Sequence, residues 1–291
     1  MSRLVSIILN CRNGEKYLDQ SLKSIKNQDY KNWELIFFDN KSTDKSSHIF
    51  KNNFDERFKY YKSSEVLKLY KARNEALKNC NGDIIAFLDC DDWWSNDYLS
   101  SRQKFFNDPS IDYFYNNVYN FNEKKKNQKI YNKFHLPDGH IYKDLCKKYF
   151  VVISGLIVKK KVFLEDGNFN EKFNIIGDLE FVMRIAKKRF AKSTQRPMVF
   201  YRHHDENYLK LNTKEFYSEL KSWIEIQDIN FRNNPNYFNN LLNFLKLDYQ
   251  IKKRKRLYLL KFILAHKDIK QKINLLIKFF IPLNLIKFLN R

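Results

Sequence analysis

The sequence predicts an α/β fold: a mixed, mainly parallel sheet flanked by helices, with a helical extension at the C-terminus. Three observations carry that expectation. Through the first two hundred residues, short apolar runs alternate with segments of helical periodicity. Polar residues cluster where the apolar runs stop, and in open α/β sheets ligands bind beyond the carboxyl ends of strands. From about residue 206 onward the strand-like alternation ceases. The expected division is therefore an α/β domain over 1–205 and a basic helical extension over 206–291.

Val5 to Leu9 is an apolar run closed by the turn Asn10-Cys11-Arg12-Asn13-Gly14. Leu18, Leu22 and Ile25 then recur at helical spacing. Trp33 to Phe38 forms a second strand stopping at Asp39, with Ser42-Thr43-Asp44 as a helix cap. Phe58 to Tyr61 is a third strand. Lys71 to Cys80 is helical, ended by Asn81-Gly82. Ile84 to Leu88 is a fourth, wholly apolar strand running straight into Asp89. Beyond Trp93-Trp94, strands are expected at 111–121, 151–158 and 198–202, a solvated turn at 123–129, and an amphipathic helix at 178–188.

Composition narrows the classes. The 291 residues are 43% hydrophobic and 30% charged, enough for a buried core and far from a disordered chain. Four scattered cysteines form no CxxC pair, so they read as free thiols of a reducing cytoplasm. The N-terminus passes directly into a strand, leaving no room for a signal peptide, and no eighteen-residue apolar run suits a spanning helix. Fifty-four basic residues against 33 acidic give +21, which suits nucleic acid, an anionic membrane surface or phosphorylated small molecules as partners.

The turn Asp89-Cys90-Asp91-Asp92 is the chemical focus. Three carboxylates within four residues repel one another unless a cation joins them. Mg²⁺ or Mn²⁺ typically links one or two carboxylates to substrate phosphates. A solvated acidic turn or a helix cap has the same spacing.

Several ordered motifs resemble the glycosyltransferase family 2 enzymes with the GT-A (Rossmann-like) fold, over roughly residues 4–205. They are Val5 through Leu18, Trp33 through Asp44, Ala72-Arg73-Asn74, and Gly82 through Asp92. The resemblance implies an inverting transfer from a nucleoside-diphosphate sugar to a hydroxyl. It implies Asp39 at the nucleotide base, with Asn10, Arg12, Asn13, Asn40 and Cys90 nearby. Arg73 would meet the nucleotide or diphosphate, Asp89 the ribose or metal-bound water, and Asp91 the metal. Gly177-Asp178-Leu179-Glu180 stands where the family usually has Glu-Asp-x-Asp, which makes Asp178 the base; an N-cap is the alternative use. His204 falls near the diphosphate or metal. Trp93 and Trp94 are expected to divide two tasks, one stacking on a sugar and one anchoring the turn. Ser154 and Gly155 fall beside the donor sugar. In three departures, Arg12 replaces a frequent Tyr, Gly177 the usual Glu, and Asn40 a second Asp.

The expected partners are a nucleoside-diphosphate sugar, UDP-linked by preference, and a glycan or lipid-linked oligosaccharide acceptor of surface polysaccharide synthesis. Residues 251–291 carry twelve Lys or Arg against one acid, Asp268. Within them 273–289 is amphipathic and interrupted by Pro282, suiting a peripheral contact with the inner face of the cytoplasmic membrane. Folding back on the catalytic domain, or a homodimer interface, is the preferred reading of the same pattern. A nucleotidyltransferase would want a Gly-rich loop after the first strand, and Asn10 to Gly14 offers one glycine. An inactive sugar-nucleotide-binding subunit remains the alternative. So does a basic nucleic-acid-binding protein, although no nucleic acid is expected.

Overall fold

The computed structural model describes residues 2–227, 231 and 236–252. The amphipathic stretch at 273–289, with nearly all of the basic concentration, lies outside the described residues. The chain divides into two compact units, Met1–Asn207 and Tyr208–Arg291.

In the first unit nine strands form one mixed sheet. They are β1 (Val5–Cys11), β2 (Trp33–Asp39), β3 (Phe58–Lys62), β4 (Ile84–Phe87), β5 (Trp93–Trp94), β6 (Tyr113–Asn122), β7 (Asn127–Ile130), β8 (Ile157–Lys159) and β9 (Ala191–His203). Their order is β3-β2-β1-β4-β8-β6-β9-β5, with β7 paired to β6. The first four are mutually parallel, and β8 joins β4 antiparallel. Helices α1 (Leu18–Lys26), α2 (Ser46–Asn52), α3 (Leu69–Leu77), α4 (Gln103–Phe106), α5 (Tyr142–Lys147), α6 (Lys160–Asp166) and α7 (Gly177–Ala186) complete the unit. The second unit contains α8 (Tyr208–Leu211), α9 (Thr213–Glu225) and α10 (Asn236–Lys252), with Trp223 packed on Phe231 and Phe238.

The central strands are buried along their whole length, as continuous apolar runs in a parallel sheet must be. Leu18, Leu22 and Ile25 form the buried stripe of α1 beneath them. Because β1, β2 and β4 run side by side in one direction, Asn10, Asp39 and Asp89 emerge at the same edge of the sheet.

The sheet's second half departs from expectation. A strand over 151–158 is reduced to Ile157–Lys159, because residues 153–155 coil into a 3₁₀ turn. There the Ser154 carbonyl accepts the Trp94 indole N–H at 2.7 Å. Strand β9 begins seven residues before Met198, since the polar run from Lys192 pairs with β6. Trp93-Trp94 is itself a short edge strand against β9. Part of the expected solvated turn closes into β7.

One buried carboxylate fastens the end of the parallel half remote from the site. Glu34 accepts from Ser6 Oγ (2.6 Å), the Asn81 backbone N–H (2.7 Å), Asn81 Nδ2 (3.0 Å) and Lys59 Nζ (2.6 Å). It thereby joins β1, β2, β3 and the turn into β4. Burial alone would push its carboxyl up, but these donors outweigh burial and hold it at about 2. Its folded value lies below the ordinary 4.5, so its contribution is complete above that pH and fades as pH falls toward 2. Glu34→Gln is expected to lower stability by about 1–3 kcal/mol at neutral pH. In urea melts the gap from the native protein should narrow below pH 4.5. A gap that stays constant down to pH 2 would contradict the assignment.

Candidate active site

Strand β4 delivers the acidic turn, and the three carboxylates each present an oxygen within 4.8 Å of the others. Each has a different neighbour. Asp89, a third exposed, takes Arg73 Nη2 at 2.5 Å. Asp91 Oδ2 lies 2.9 Å from His204 Nε2. Asp92 is fully buried and accepts from Ser154 Oγ (2.6 Å) and the Arg202 backbone N–H (2.9 Å). Burial raises the Asp89 carboxyl, opposed by Arg73 and reinforced by Asp91. Burial, then Asp91 and Asp89, pushes Asp92 well above the usual range. Burial is thus the larger cause at both carboxyls, and the neighbouring like charges add to it.

The turn is braced from behind by Arg202, which is 4% exposed. Its guanidinium donates to the Asp91 carbonyl (2.7 Å), Glu123 (2.5 Å) and Gln20 (2.5 Å), and lies over the rings of Tyr17 and Trp93. Ser21 Oγ reaches the carbonyls of Cys90 (2.9 Å) and Asp92 (2.6 Å). The carboxylates of the turn therefore project from a main chain held on several sides.

The loops after β1 and β2 are tied together. Asn13, at φ +55°, accepts from the Thr43 N–H (2.8 Å) and donates its own N–H to Ser42 Oγ (3.0 Å). Asp39 is fully buried, accepting from the Ser42 N–H (2.7 Å) and Tyr60 Oη (2.6 Å). Asn40 spends both ends of its amide on the Leu67 backbone, at 2.8 Å each, and holds the loop before α3. Arg12 is exposed at the rim. Asn10 is 8% exposed, and neither its Oδ1 nor its Nδ2 has a partner among the described residues. Cys90 lies against the Cys11 thiol; that contact first, and burial second, push the Cys90 thiol up.

Helix α3 links the acidic turn to Asp178, the candidate base. Arg73 is 2% exposed, pairs with Asp89 through Nη2, and has no partner at Nη1 among the described residues. Three residues earlier, Tyr70 Oη donates to Asp178 Oδ1 at 2.7 Å. Asp178 stands in the first turn of α7 and is half-buried. Gly177, at the place of the family's usual Glu, is bare because the Tyr70 ring fills its side-chain space: an added Cβ would meet the ring at 2.3 Å.

The two tryptophans that follow the turn differ in burial. Trp94 is 2% exposed and stacks on Tyr98 at 4.1 Å. Trp93 lies parallel to Phe200 at 4.8 Å, with Phe121 at its edge and the Arg202 guanidinium 4.4 Å from its centre. Trp94 therefore anchors the turn, while Trp93, partly buried, packs against Phe121 of β6 and Phe200 of β9. Ser154 also serves the turn, accepting the Asp89 N–H at 3.2 Å. At Gly155 the close approach comes from β6: a Cβ there would stand 2.8 Å from Asn116 Oδ1. Tyr70 and the bracing role of Arg202 escaped the sequence reading. Tyr70 shares a helix face with Arg73 by its i, i+3 spacing, but its partner lies 108 residues away.

A family model described as Glycosyl transferase family 2 matches residues 6–167, more than half of the chain. The chain is 34% identical over 144 residues to the UDP-Glc:alpha-D-GlcNAc-diphosphoundecaprenol beta-1,3-glucosyltransferase WfgD of Escherichia coli, covering 50% of this chain and 55% of that one. Among solved structures, residues 1–349 of S. aureus TarS in complex with UDP superpose with a TM-score of 0.56 at 18% identity, covering 94% and 79% of the two chains. The mannosyltransferase PcManGT of Pyrobaculum calidifontis, solved with GDP-Man and Mn²⁺, gives 0.61 at 14% identity, covering 84% and 72%. These structural likenesses establish a shared GT-A fold. The chain spans 30–55% of the length of the first three curated relatives it matches.

The acidic turn offers the oxygen donors that Mn²⁺ or Mg²⁺ takes. Saturating Mn²⁺ is expected to raise the melting temperature, on the order of 5 °C for ligand at a hundred times its Kd. In Asp91→Ala the metal-dependent shift should vanish, while the metal-free variant melts no lower because one of three repelling charges is gone. An equal Mn²⁺ shift in both proteins would place the ion elsewhere.

Proposed function

This chain belongs to glycosyl transferase family 2, and on that footing we propose that it transfers a sugar from a UDP-linked donor to a hydroxyl of a glycan or lipid-linked acceptor, with inversion, in surface polysaccharide synthesis. The observation that carries the reading is the environment of Arg73. One guanidinium nitrogen pairs with Asp89, the other is buried without a partner among the described residues, and Asp178 lies one side chain away through Tyr70. A buried guanidinium beside a carboxylate cluster suits a diphosphate bridged to a divalent ion.

In this reading Asn10, Arg12, Asn13, Asp39 and Asn40 shape the nucleoside end, and Arg73 meets the diphosphate. Mn²⁺ or Mg²⁺, held by Asp91 with Asp89 and His204 beside it, would supply neutralising charge to the departing nucleotide. Asp178 takes the proton of the acceptor hydroxyl as its oxygen bonds to the anomeric carbon. The bond from that carbon to the diphosphate breaks, and its electron pair leaves with the nucleotide. The names of WfgD, which specifies UDP-Glc and a diphosphoundecaprenol acceptor, and of TarS, solved with UDP, support the donor and acceptor classes. No helix of the described residues is long and apolar enough to cross a membrane. A lipid-linked acceptor would place the reaction at the inner face of the cytoplasmic membrane, where the basic residues of 251–291 suit anionic headgroups.

A screen of nucleotide-sugars with Mn²⁺, reading nucleotide release, is the direct test. A UDP-sugar is expected to turn over, and Asp178→Asn to lower kcat about a hundredfold or more while UDP still binds. If no donor is turned over and none binds, the proposal is wrong.

A further inference from the structure

Tyr70 sits at the junction of the donor side and the candidate base, and nothing in the transfer step as described requires it. Its hydroxyl has one proton and two acceptors in reach: Asp178 Oδ1 at 2.7 Å and the Ile175 carbonyl at 3.3 Å. The shorter contact, to a charged oxygen, takes the proton. Burial, and then Asp178, raise this hydroxyl well above the ordinary phenol range, so it remains a donor throughout the working pH range. Asp178 Oδ1 also accepts the Leu179 N–H at 2.8 Å, and no hydrogen bond among the described residues engages Oδ2. One carboxylate oxygen is thus doubly anchored and the other is left to receive a proton.

The ring itself depends on Gly177. A Cβ there would stand 2.3–2.7 Å from three ring carbons, and the ring, 2% exposed, has no room to retreat. The same ring lies 4.9 Å from the Arg73 guanidinium. A glycine beside the base and a tyrosine on α3 are therefore a matched pair, and the loss of the side chain at 177 is what admits the hydroxyl to Asp178.

We infer that Tyr70, seated in the space left by Gly177, is a positioning residue that fixes Asp178 so that its Oδ2 faces the acceptor hydroxyl. The inference rests on the reading of Asp178 as the base. A carboxylate free to rotate about its side-chain bonds reaches the attacking geometry only part of the time, and small misplacements of a catalytic group are costly.

The test uses the full chain and measures UDP release from UDP-glucose and UDP-N-acetylglucosamine with Mn²⁺, together with UDP affinity and melting temperature. Tyr70→Phe is expected to lower kcat about tenfold or more, with donor KM and UDP affinity within about twofold of native. Gly177→Ala should lower kcat comparably, yet add little further loss on top of Tyr70→Ser, where the space has been vacated. Native kcat in Tyr70→Phe overturns the inference. So does a loss of UDP affinity matching the loss of kcat, which marks a merely structural role, and so does full additivity of the 70 and 177 changes. Asp178→Asn run alongside separates the two levels. If it retains native kcat, the base assignment itself fails; if it is inactive while Tyr70→Phe is normal, the positioning role alone fails.

Discussion

The structure is organised around the cost of placing three carboxylates on one turn. Their oxygens lie within 4.8 Å of one another, and Asp92 is fully buried. Mutual repulsion in a poorly solvated place would drive the turn apart or protonate it. The fold answers with a separate neighbour for each acid: a buried guanidinium for Asp89, an imidazole for Asp91, and a serine hydroxyl with a backbone N–H for Asp92. These groups come from α3, the segment around Ser154, and the end of β9. Much of the sheet's irregular half is arranged to deliver them.

That requirement explains which parts of the molecule were legible in the sequence. The parallel half, from β1 to β4, follows from apolar runs of strand length separated by helical periodicity, and the observed strands start at the expected residues. The acidic turn was legible for the same reason, since the apolar run Ile84 to Leu88 stops at Asp89, with the strand itself spanning Ile84–Phe87. The region 151–158 misled because its apolar residues are equally buried in a 3₁₀ turn and in a strand. What decided between them was Ser154, whose bonds to Asp92 and Asp89 span 62 and 65 residues. The first half of β9 was hidden because its polar residues show no alternation; its partner β6 supplies the pairing.

The same limit applied within the site. The motifs place Asp39, Arg73, Asp89, Asp91 and Asp178 at chain positions the fold brings to one edge, or to helices bordering it. Sequence could not show that Trp93 lies on Phe200 and Trp94 on Tyr98, because those contacts depend on tertiary placement. Nor could it show why residue 177 is a glycine. Read alone, that glycine is a missing acid; in the structure it is the volume of a tyrosine ring.

Helix α3 then explains how two chemically different halves of the site stay in register. Its residues meet the segment leading into α7 repeatedly. The Leu69 N–H donates to Asn174 Oδ1 at 2.8 Å, and Asn74 exchanges hydrogen bonds with the Phe169 backbone at 2.9 and 3.1 Å. Asn74 Nδ2 also reaches Glu171 at 2.9 Å. Tyr70, Arg73 and Asn74 share one face by their i, i+3, i+4 spacing. That face contacts Asp178 on one side and Asp89 on the other. A rigid helix with short bonds to both carboxylates fixes their separation more firmly than either loop could alone. Asp89 and Asp178 are thus held by one element, and neither can shift without disturbing the other's support.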